Sequence, residues 1–439
     1  MSTPSIERNW SGNYQYRAHA VHHPQSLDEL RRLVAQAPSV QALGSRHSFT
    51  SIGDADELIA LDRLGDQITV DRDTGTVSAP AAMTYAELAA SLNHEAMALP
   101  NLASLPHISV GGAVATATHG SGERLGNLAT SVTGIELVTS AGDVLTARRG
   151  DERFDGLVVG LGAAGIVTRL QLAVEPYYEM SQLVYEGLEW EALYEHFDEI
   201  YAAGDSVSVF HRLGGRAGQV WVKRRAPVRD APGDLFGAVA AGGPRNPVLG
   251  ADPINCTSQL GRAGPWSERL PHFRSGFTPS SGEEIQSEVF VARHDAIAAI
   301  QAVRALGEQL RPLLLVGELR AIAADALWLS PQYERDTVAL HFTWRREQAA
   351  VEAAVQQIEA ALTPFAARPH WGKVTSLRAA QIGPLYERLD DFRRLRDELD
   401  PRGAFVNDWL RDYVLGGAEA SCKQGWHTGC SPRGRSSVG

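Results

Sequence analysis

The order of apolar and polar positions predicts short strands separated by a few helices in the first third of the chain. The segment SLDELRRLVAQA repeats leucine and valine at helical spacing, and Ser26 followed by Glu29 predicts a capping box at its start. The segment TYAELAASLNHEA has the same arrangement, with Thr84 and Glu87 in the capping positions. Both segments are therefore predicted to be amphipathic helices.

Two hairpins and a further strand are predicted around these helices. In QITVDRDTGTVSAP, apolar and polar residues alternate on both sides of the turn-forming DRDTG. GIELVTSAGDVLTARR shows the same pattern with its turn at residues 141–143, and AGIVTRLQLAVEP is typical of a strand that ends at Pro176. Hairpins mixed with helices favour an α+β fold over a repeating βαβ series.

The chain changes in character after Pro176. Residues 227–282 are rich in Pro, Gly and Arg, which predicts a loop-rich segment. Two strands follow in LLLVGELRAI and TVALHFTWR, and a helix follows in EQAAVEAAVQQIEAAL. A turn is predicted in ARPHWGK and a charged helix in YERLDDFRRLRDEL.

The two late strands carry polar residues in a pattern with two interpretations. Side chains alternate between the faces of a strand, so Glu318 and Arg320 share one face of the first. His341 and Thr343 share one face of the second, whose other face holds apolar residues. Burying such polar groups is unfavourable unless they pair or bind a ligand. From the residues alone, a ligand site is as well supported as the two alternatives, a solvent-exposed sheet face or a structural ion pair between Glu318 and Arg320.

The stretch QALGSRHSFT, residues 41–50, places a turn directly after a short apolar run. Gly44 and Ser45 suit a tight turn whose backbone N–H groups point outward. Arg46 adds fixed positive charge, and His47 is a nucleophile or ligand near neutral pH. These residues alone favour an ordinary surface turn over a loop that holds an anion beside a histidine.

Residues 100–122, PNLASLPHISVGGAVATATHGSG, form the most unusual stretch of the chain. Small residues dominate from Gly111 to Gly122, with threonine and serine among them. This composition is untypical of helices and strands, and it suits a backbone that approaches a polyanionic ligand closely. A tightly packed loop is the alternative, but it leaves the clustered hydroxyls unexplained. Neither a G-x-G-x-x-G fingerprint nor a Walker loop occurs here, so we expect a pyrophosphate-bearing ligand held in another way.

Composition and charge narrow the class of protein. The 439 residues are 44% hydrophobic and 21% charged, which indicates a globular protein of two or three domains. The net charge of −11 disfavours nucleic acid as a general partner, and short basic runs such as Lys223-Arg224-Arg225 are predicted to be solvated faces. No apolar run is long enough to span a membrane, and no signal peptide is visible. We therefore expect a cytoplasmic protein.

The three cysteines are too few and too scattered for a disulfide framework. Cys422, His427 and Cys430 lie close together in SCKQGWHTGC, but without paired C-x-x-C spacing they are a weak metal motif. We predict no metal site. Residues 417–439 lack apolar periodicity, so this tail is predicted to be disordered.

Three segments together resemble the FAD-binding domain of the vanillyl-alcohol-oxidase type of flavoprotein. They are ALGSRHSF, SVGGAVATATHGSG some sixty residues later, and VVGLGAAGIVT. Within that family the chain is most similar to the alditol (xylitol) oxidases, relatives of the aldonolactone oxidases, and the similarity runs from about Asn9 to Leu415. LDPRGAFVNDWL is similar to the closing signature of the family, although Trp409 stands where a tyrosine is expected.

The resemblance implies a two-subdomain, PCMH-type FAD-binding fold. Residues 1–176 would form the FAD-binding domain, and a segment of about 375–416 would return to it. Residues 177–374 would form a substrate (cap) domain built on an antiparallel sheet with flanking helices.

The resemblance also implies a bound FAD. The loop over residues 42–48 would cover its pyrophosphate, and His47 would bond covalently to the 8α-methyl group of the isoalloxazine. Val167 would contact the adenine side, and Ala103 would lie near the reactive flavin edge. The implied FAD contacts are Ala42, Leu43, Gly44, Ser45, Arg46, His47, Ser48, Ala103, Ser104, Ser109, Gly111, Gly112, Ala113, Ala115, Thr116, Thr118, His119, Gly120, Val167 and His370.

A polyol site over the flavin is implied as well. The implied substrate contacts are Ser104, Glu318, Arg320, Thr343 and Lys373, and the implied catalytic residues are Lys373, Arg320, Glu318 and His341. The reaction would oxidise the terminal C1 hydroxyl of a polyol such as xylitol or sorbitol to the aldose and reduce O₂ to H₂O₂. His341 and Lys373 both remain candidates for the proton acceptor.

Two other functions remain open at this point. An aldonolactone oxidase or dehydrogenase would have the same fold and flavin, but a lactone needs no charged set to hold a chain of free hydroxyls. A flavin-binding or carbohydrate-binding protein without turnover is disfavoured because the cofactor loop and the charged pocket occur together. The expected partners are a small polyol and O₂, without nucleic acid or membrane, and the expected state is a monomer.

Overall fold

Two groups of β-strands follow one another along the chain. The computed structural model describes residues 8–227, 232–277 and 283–416. The first group comprises β1 (Ala20–His22), β2 (Val40–Ala42), β3 (Glu57–Ile59), β4 (Thr69–Asp71), β5 (Thr76–Pro80), β6 (Met97–Ala98), β7 (Val132–Val138), β8 (Val144–Arg148), β9 (Ile166–Ala173) and β10 (Glu175–Pro176). The second comprises β11 (Glu179–Leu188), β12 (Ser206–His211), β13 (Gly218–Arg225), β14 (Asp234–Leu235), β15 (Ala238–Ala240), β16 (Gly264–Pro265), β17 (Glu284–Ala292), β18 (Leu314–Ile322), β19 (Thr337–Arg345) and β20 (Arg368–Pro369).

Helices connect and flank these strands. The α-helices are α1 (Leu27–Gln36), α2 (Tyr85–His94), α3 (Val110–Ala115), α4 (Phe154–Val158), α5 (Trp190–Glu195), α6 (Phe197–Tyr201), α7 (Ala296–Ala305), α8 (Gly307–Leu310), α9 (Gln348–Leu362), α10 (Ala379–Ile382), α11 (Leu389–Leu399) and α12 (Asp408–Leu410). Single 3₁₀ turns cover Leu128–Ser131, Pro253–Asn255, Trp266–Glu268, Arg293–Asp295, Thr363–Phe365 and Gly383–Leu385, and a π-helical turn covers Arg411–Leu415. Among the described residues, every helix is too short or too polar to cross a membrane.

The first two predicted helices are confirmed, and their caps differ. At α2, the Thr84 side chain accepts the Glu87 N–H while the Glu87 carboxylate accepts the Thr84 N–H, so the predicted capping box is complete. At α1, Ser26 accepts the Glu29 N–H at 3.2 Å, but the Glu29 carboxylate accepts from the backbone of Gln25 instead. The capping box predicted for α1 is therefore only half formed.

The first group of strands forms two main sheets. The parallel sheet has the order β1-β3-β2, and the antiparallel sheet has the order β4-β5-β9-β7-β8. β4 pairs with β5 and β7 with β8, which confirms both predicted hairpins. Leu88 and Leu92 of α2 pack with Val77, Leu137 and Leu170 of the antiparallel sheet in one hydrophobic core.

The last helices return to this first core. Ile382, Phe392 and Leu410 belong to the same hydrophobic cluster as the antiparallel sheet. The charged helix predicted in YERLDDFRRLRDEL begins later than predicted, at the start of α11, because Tyr386 is extended with its ring centroid 4.9 Å from that of Trp371. The return agrees with the predicted domain organisation, whose boundaries stay a prediction.

The second group of strands forms a ten-stranded antiparallel sheet. Its order is β14-β15-β11-β13-β12-β18-β19-β17-β20, with β16 beside β11. The predicted strands LLLVGELRAI and TVALHFTWR are β18 and β19, which are neighbours. The predicted turn ARPHWGK contains the short strand β20, which pairs with β17. Between residues 232 and 277 the elements are strands of two or three residues and single turns, as the loop-rich composition predicted.

Strand register divides this sheet into an apolar and a polar face. Residues such as Leu319, Leu340 and Phe342 pack on one face against α7 and α9. On the other face, β12, β18, β19, β17 and the residue after β20 each contribute one side chain to what we call the central row: Phe210, Glu318, His341, Glu288 and His370. The period of two therefore places charged side chains together on a buried surface.

Candidate active site

A cavity separates the glycine-rich loops, which lie among the first group of strands, from the central row. Its empty volume is about 2110 Å³, the open mouth included. The predicted residues that line it are Ala42, Leu43, Gly44, Ser45, Arg46, His47, Ser48, Ala103, Ser104, Ser109, Gly111, Gly112, Ala113, Ala115, Thr116, Thr118, His119, Val167, Glu318, Arg320, His341, Thr343, His370 and Lys373.

Gly120 is the predicted site residue that does not line the cavity. A Cβ added there would lie 2.4 Å from both Asn101 Oδ1 and the Leu102 carbonyl oxygen. Gly120 is thus required by the close approach of two backbone segments behind the cavity wall, and its predicted contact with FAD is not supported.

The two glycine-rich segments pack directly on one another. Ser45 Oγ accepts the Ser109 N–H at 2.9 Å, and a Cβ on Gly44 would lie 2.8 Å from Ser109 Oγ. Arg46 has a left-handed backbone with φ of 62°. The stretch at 41–50 is therefore part of a cavity wall, and the interpretation as an ordinary surface turn is wrong.

The second glycine-rich segment contains a helix, although its composition predicted neither helix nor strand. α3 covers Val110–Ala115, and Cβ atoms added at Gly111 and Gly112 would lie 2.9 Å from Ala81 Cβ and Ser109 Oγ. Close packing against Ala81 and Ser109 outweighs the poor helix propensity of glycine here. The tight-packing interpretation thus holds together with the ligand interpretation.

His47 presents an unbonded imidazole to the cavity. Among the described residues neither ring nitrogen has a hydrogen-bond partner, and the ring is stacked on Trp10 with centroids 5.4 Å apart. Burial lowers the pKa of His47 to about 4, so the ring is neutral near pH 7. A neutral imidazole nitrogen keeps its lone pair and can act as a nucleophile. Sequence reasoning missed Trp10, whose proximity no local motif indicates.

The opposite wall of the cavity carries the charged residues of the sheet. Glu318, Arg320, His341 and Thr343 are all buried, so the solvent-exposed interpretation is wrong. Arg320 Nε lies 3.6 Å from Glu318 Oε1, and no hydrogen-bond partner for this Nε occurs in the described part of the chain. An unpartnered guanidinium N–H beside a cavity is available to a ligand oxygen.

Glu288 is the charged residue that sequence reasoning missed. Its carboxylate is fully buried, with Oε1 accepting from Arg320 Nη2 at 2.7 Å and Oε2 from Lys373 Nζ at 2.6 Å. The signal was present in the segment EIQSEVFVA, where polar and apolar residues alternate as they do in LLLVGELRAI. Both oxygens of Glu288 are thus occupied by cations that line the cavity.

The charges of this cluster stabilise one another. Burial alone would raise the pKa of Glu288, but Lys373 and Arg320 hold that pKa well below its usual range. Burial would likewise raise the pKa of Glu318, and Arg320 and His272 lower it overall. Burial lowers the pKa of Lys373 despite the neighbouring carboxylate. Both carboxylates are ionised near pH 7, whereas Lys373 loses its proton more readily than an exposed lysine.

The hydrogen bonds around Lys373 have defined directions. Lys373 Nζ donates to His341 Nδ1 at 2.8 Å, and burial first and Lys373 second lower the pKa of His341 to about 4. The neutral ring therefore carries its proton on Nε2, which donates to Thr343 Oγ1 at 3.1 Å. The Thr343 hydroxyl, having accepted there, retains its own O–H for another acceptor.

Lys223 contradicts the prediction that the run at 223–225 is a solvated face. It is 1% exposed, because the alternation along β13 places it with Trp221 on the cavity side of the sheet. Its Nζ lies 3.1 Å from His272 Nδ1, and His272 lines the cavity. The contact between Lys223 and His272 was not predicted, because no local sequence pattern relates two segments that lie far apart in the chain.

Three possible metal ligands in the same wall surround a carboxylate that is already ion-paired. His119, Glu288 and His370 bring one ligand atom each within 4.8 Å of the others. Both Glu288 oxygens, however, already bind the cationic Arg320 and Lys373, which a metal ion would have to displace. The cysteine-containing motif at residues 422–430 lies outside the described residues.

The cavity fits a flavin dinucleotide. Its walls combine close-approaching backbone at Gly44, Gly111 and Gly112, the hydroxyls of Thr116 and Thr118, and the unbonded His47 ring. These groups suit a long ligand with a pyrophosphate in its middle and a planar ring system at each end. The charged wall then faces one of these ring systems, where a substrate would bind.

Comparison with known protein families gives two matches. Residues 18–148 match the family described as FAD binding domain, and residues 285–413 match that described as D-arabinono-1,4-lactone oxidase. The first match covers the glycine-rich loops, and the second covers β17 to α12, with the charged wall.

Full-length relatives agree with these matches. The chain is 45% identical to an alditol oxidase from Streptomyces sp. (strain IKD472 / FERM P-14339), over 93% of this chain and 99% of that protein. It is 29% identical to an L-gulono-1,4-lactone dehydrogenase from Mycobacterium tuberculosis, over 94% of this chain and 99% of that protein. A cholesterol oxidase from B. sterolicum has the same fold, with a TM-score of 0.76 at 15% identity over 93% and 96% of the two chains.

Proposed function

Because the chain belongs to the alditol oxidase family of FAD-dependent oxidases, we propose that it oxidises the terminal C1 hydroxyl of a polyol such as xylitol or sorbitol to the aldehyde, with release of H₂O₂. The observation that carries this proposal is the buried wall of directed donors and acceptors facing the cavity. Polyols offer one hydroxyl per carbon, each of which donates and accepts, so such a wall suits them.

FAD, when bound, supplies the acceptor of the two electrons and passes them to O₂. The loop over residues 42–48 and the segment around α3 would hold it, with the hydroxyls of Thr116 and Thr118 beside its phosphates. His47 would form the covalent link, because its neutral nitrogens have no other partner among the described residues. Trp10, stacked on His47, would keep the ring in one orientation.

Lys373 takes the hydroxyl proton in this proposal. A neutral amine has two N–H groups, and Glu288 Oε2 and His341 Nδ1 both accept from Nζ. The remaining tetrahedral position of Nζ then carries a lone pair that can accept from the substrate hydroxyl. The lowered pKa of Lys373 makes this neutral form accessible. His341 is the weaker candidate, because both of its ring nitrogens already have partners.

The other polar residues hold the remaining hydroxyls. Arg320 Nε and the Thr343 hydroxyl act as donors, and Glu318 acts as an acceptor. Ser104 Oγ accepts from Arg320 Nη1 at 3.4 Å and so keeps its own O–H for the substrate. A substrate with adjacent hydroxyls can bond to the donors and to the acceptor of this wall at the same time. A lactone does so less completely, because its carbonyl oxygen only accepts.

The test is peroxide release under air from xylitol and from a galactonolactone, assayed side by side with the FAD-loaded protein. The proposal expects peroxide from xylitol at a kcat/KM at least about tenfold above that for the lactone. Peroxide from the lactone alone would overturn the substrate assignment in favour of the lactone oxidases that residues 285–413 also match. Flavin bleaching by xylitol without peroxide would overturn the assignment of O₂ as acceptor.

A further inference from the structure

A second layer of buried polar residues lies behind the cavity wall. Lys223, His272 and Glu318 form a chain in which each residue is at most 4% exposed. Lys223 Nζ donates to the Leu270 carbonyl and lies 3.1 Å from His272 Nδ1, and His272 Nε2 lies 2.9 Å from Glu318 Oε1. We call these three residues the relay.

The direction of hydrogen bonding along the relay is fixed by its two ends. The ionised Glu318 carboxylate can only accept, so His272 Nε2 must carry the proton that it shares with Glu318 Oε1. Burial lowers the pKa of His272 to about 4, so the ring is neutral and its Nδ1 has no proton. Nδ1 therefore accepts, and Lys223 is the donor that it faces. Glu318 and Lys223 thus stabilise the same tautomer of His272.

The relay leaves one oxygen of Glu318 to the cavity. Oε1 is occupied by His272 and lies 3.6 Å from Arg320 Nε, whereas Oε2 makes no hydrogen bond within the described part of the chain. Glu288 differs, because cations bind both of its oxygens. Of the two carboxylates in the central row, Glu318 is thus the one with an oxygen free to accept a hydrogen bond from a ligand hydroxyl.

We propose that Lys223 and His272 are positioning residues that hold Glu318 as the acceptor for the substrate hydroxyl on the carbon next to the one oxidised. This inference rests on the proposed function for its substrate and on the relay for its geometry. It gives the protein a means of preferring 1,2-diol units over alcohols that lack the neighbouring hydroxyl.

The kinetic test compares xylitol with 1,3,5-pentanetriol, which lacks both hydroxyls next to the terminal carbons. Lys223→Met removes the donor at similar length, and His272→Leu removes the ring. Both variants are expected to lower kcat/KM for xylitol by about tenfold, mainly through KM, while the value for pentanetriol changes by less than about twofold. His272→Gln, which keeps an N–H donor toward Glu318, is expected to restore most of the preference.

A matched control is available on the same strand. Gln219 is buried on β13, donates to the Asn246 carbonyl and accepts from Trp221 Nε1, and makes no hydrogen bond to His272 or Glu318 within the described residues. Gln219→Met removes a buried polar group as Lys223→Met does, so it shares any general loss of stability. It is expected to leave the ratio of the two kcat/KM values within about twofold of wild type. An equal fall of that ratio in the control and in Lys223→Met would overturn the inference.

The tautomer of His272 gives a readout that does not depend on turnover. In protein labelled with ¹⁵N-histidine, the resonances assigned through the His272→Leu variant are expected to show a protonated Nε2 and an unprotonated Nδ1 in wild type. Lys223→Met removes the donor to Nδ1, so the Nδ1 resonance is expected to shift while Nε2 stays protonated by its hydrogen bond to Glu318. An unchanged Nδ1 resonance would overturn the role of Lys223, whereas failure of wild type to oxidise any polyol, with both resonances as expected, would overturn only the proposed function.

Discussion

Replacing Glu288 by glutamine removes the one negative charge that two buried cations share and keeps the shape of the side chain. At contact distances of 2.6 and 2.7 Å and an effective dielectric constant near 20, each lost contact is worth about 6 kcal/mol before desolvation is counted. Desolvation offsets much of this, and removing one partner of a buried pair costs about 3–5 kcal/mol. We expect about 3 kcal/mol, because Lys373 can release its proton and stay buried as a neutral amine.

Urea unfolding of wild type and Glu288→Gln at pH 7 measures this difference. Since the pKa of Glu288 is lowered in the folded protein, its stabilising contribution is present above the ordinary carboxylate pKa of about 4.3. That contribution is lost as the pH falls through the lower pKa of the folded state. The free-energy difference between the two proteins is therefore expected to shrink below about pH 4.

The same substitution has a second effect, on the pH dependence of turnover. Glu288 raises the pKa of Lys373, so its loss lowers that pKa further. The acid limb of kcat/KM, which rises with pH as Lys373 loses its proton, is then expected to move to lower pH.

Glu359→Gln is the matched control for these measurements. Glu359 is also a buried glutamate, but its carboxylate accepts from Thr375 and Ser376 instead of from cations. We expect Glu359→Gln to cost about 1–3 kcal/mol and to leave the pH profile unchanged. A cost below about 1 kcal/mol for Glu288→Gln, as for an exposed ion pair, with an unmoved pH profile would refute the argument from buried charge.

Three further substitutions test other parts of the site. His47→Ala is expected to abolish covalent attachment, so that flavin fluorescence no longer migrates with the denatured protein; fluorescence that stays with the chain would place the link elsewhere. Lys373→Met is expected to lower kcat/KM for xylitol by about 10²–10³-fold and to remove its rise with pH, and a value within about twofold of wild type would contradict the role of Lys373. Gly120→Ala forces a Cβ to 2.4 Å from Asn101 Oδ1, so the free energy of unfolding in urea is expected to fall by about 1–3 kcal/mol, and an unchanged value would show that the backbone there can yield.

Local sequence patterns predicted most helices and strands, and they predicted the polar residues that β18 and β19 contribute to the site. The period of two in β18 and β19 placed Glu318 with Arg320 and His341 with Thr343, because strand alternation depends only on the sequence of each strand. Caps and turns marked α2 and the two hairpins for the same reason. The resemblance to flavoproteins, not the periodicity, supplied Lys373 and the FAD-binding loops.

What the sequence could not supply depends on contacts between distant segments. Glu288 and Lys223 reach the site because β17 and β13 pair into the same sheet. The register between two strands cannot be inferred from the sequence of either strand alone. The helix α3 was not predicted because close contacts with Ala81 and Ser109, not local propensity, favour its glycines. Trp10 reaches His47 through a fold that brings the beginning of the chain over the loop.

The central row has a consequence for how the protein becomes active after synthesis. Its members lie on β12, β17, β18 and β19 or directly after β20, and these strands pair in an order different from their order in the chain. Such long-range pairing forms slowly and late in folding. A partly folded chain can therefore form the glycine-rich loops that hold the dinucleotide, which lie before residue 170, before the charged wall of the substrate site has formed. In a refolding experiment, we expect the protein to bind the cofactor first and to begin turnover only after a lag.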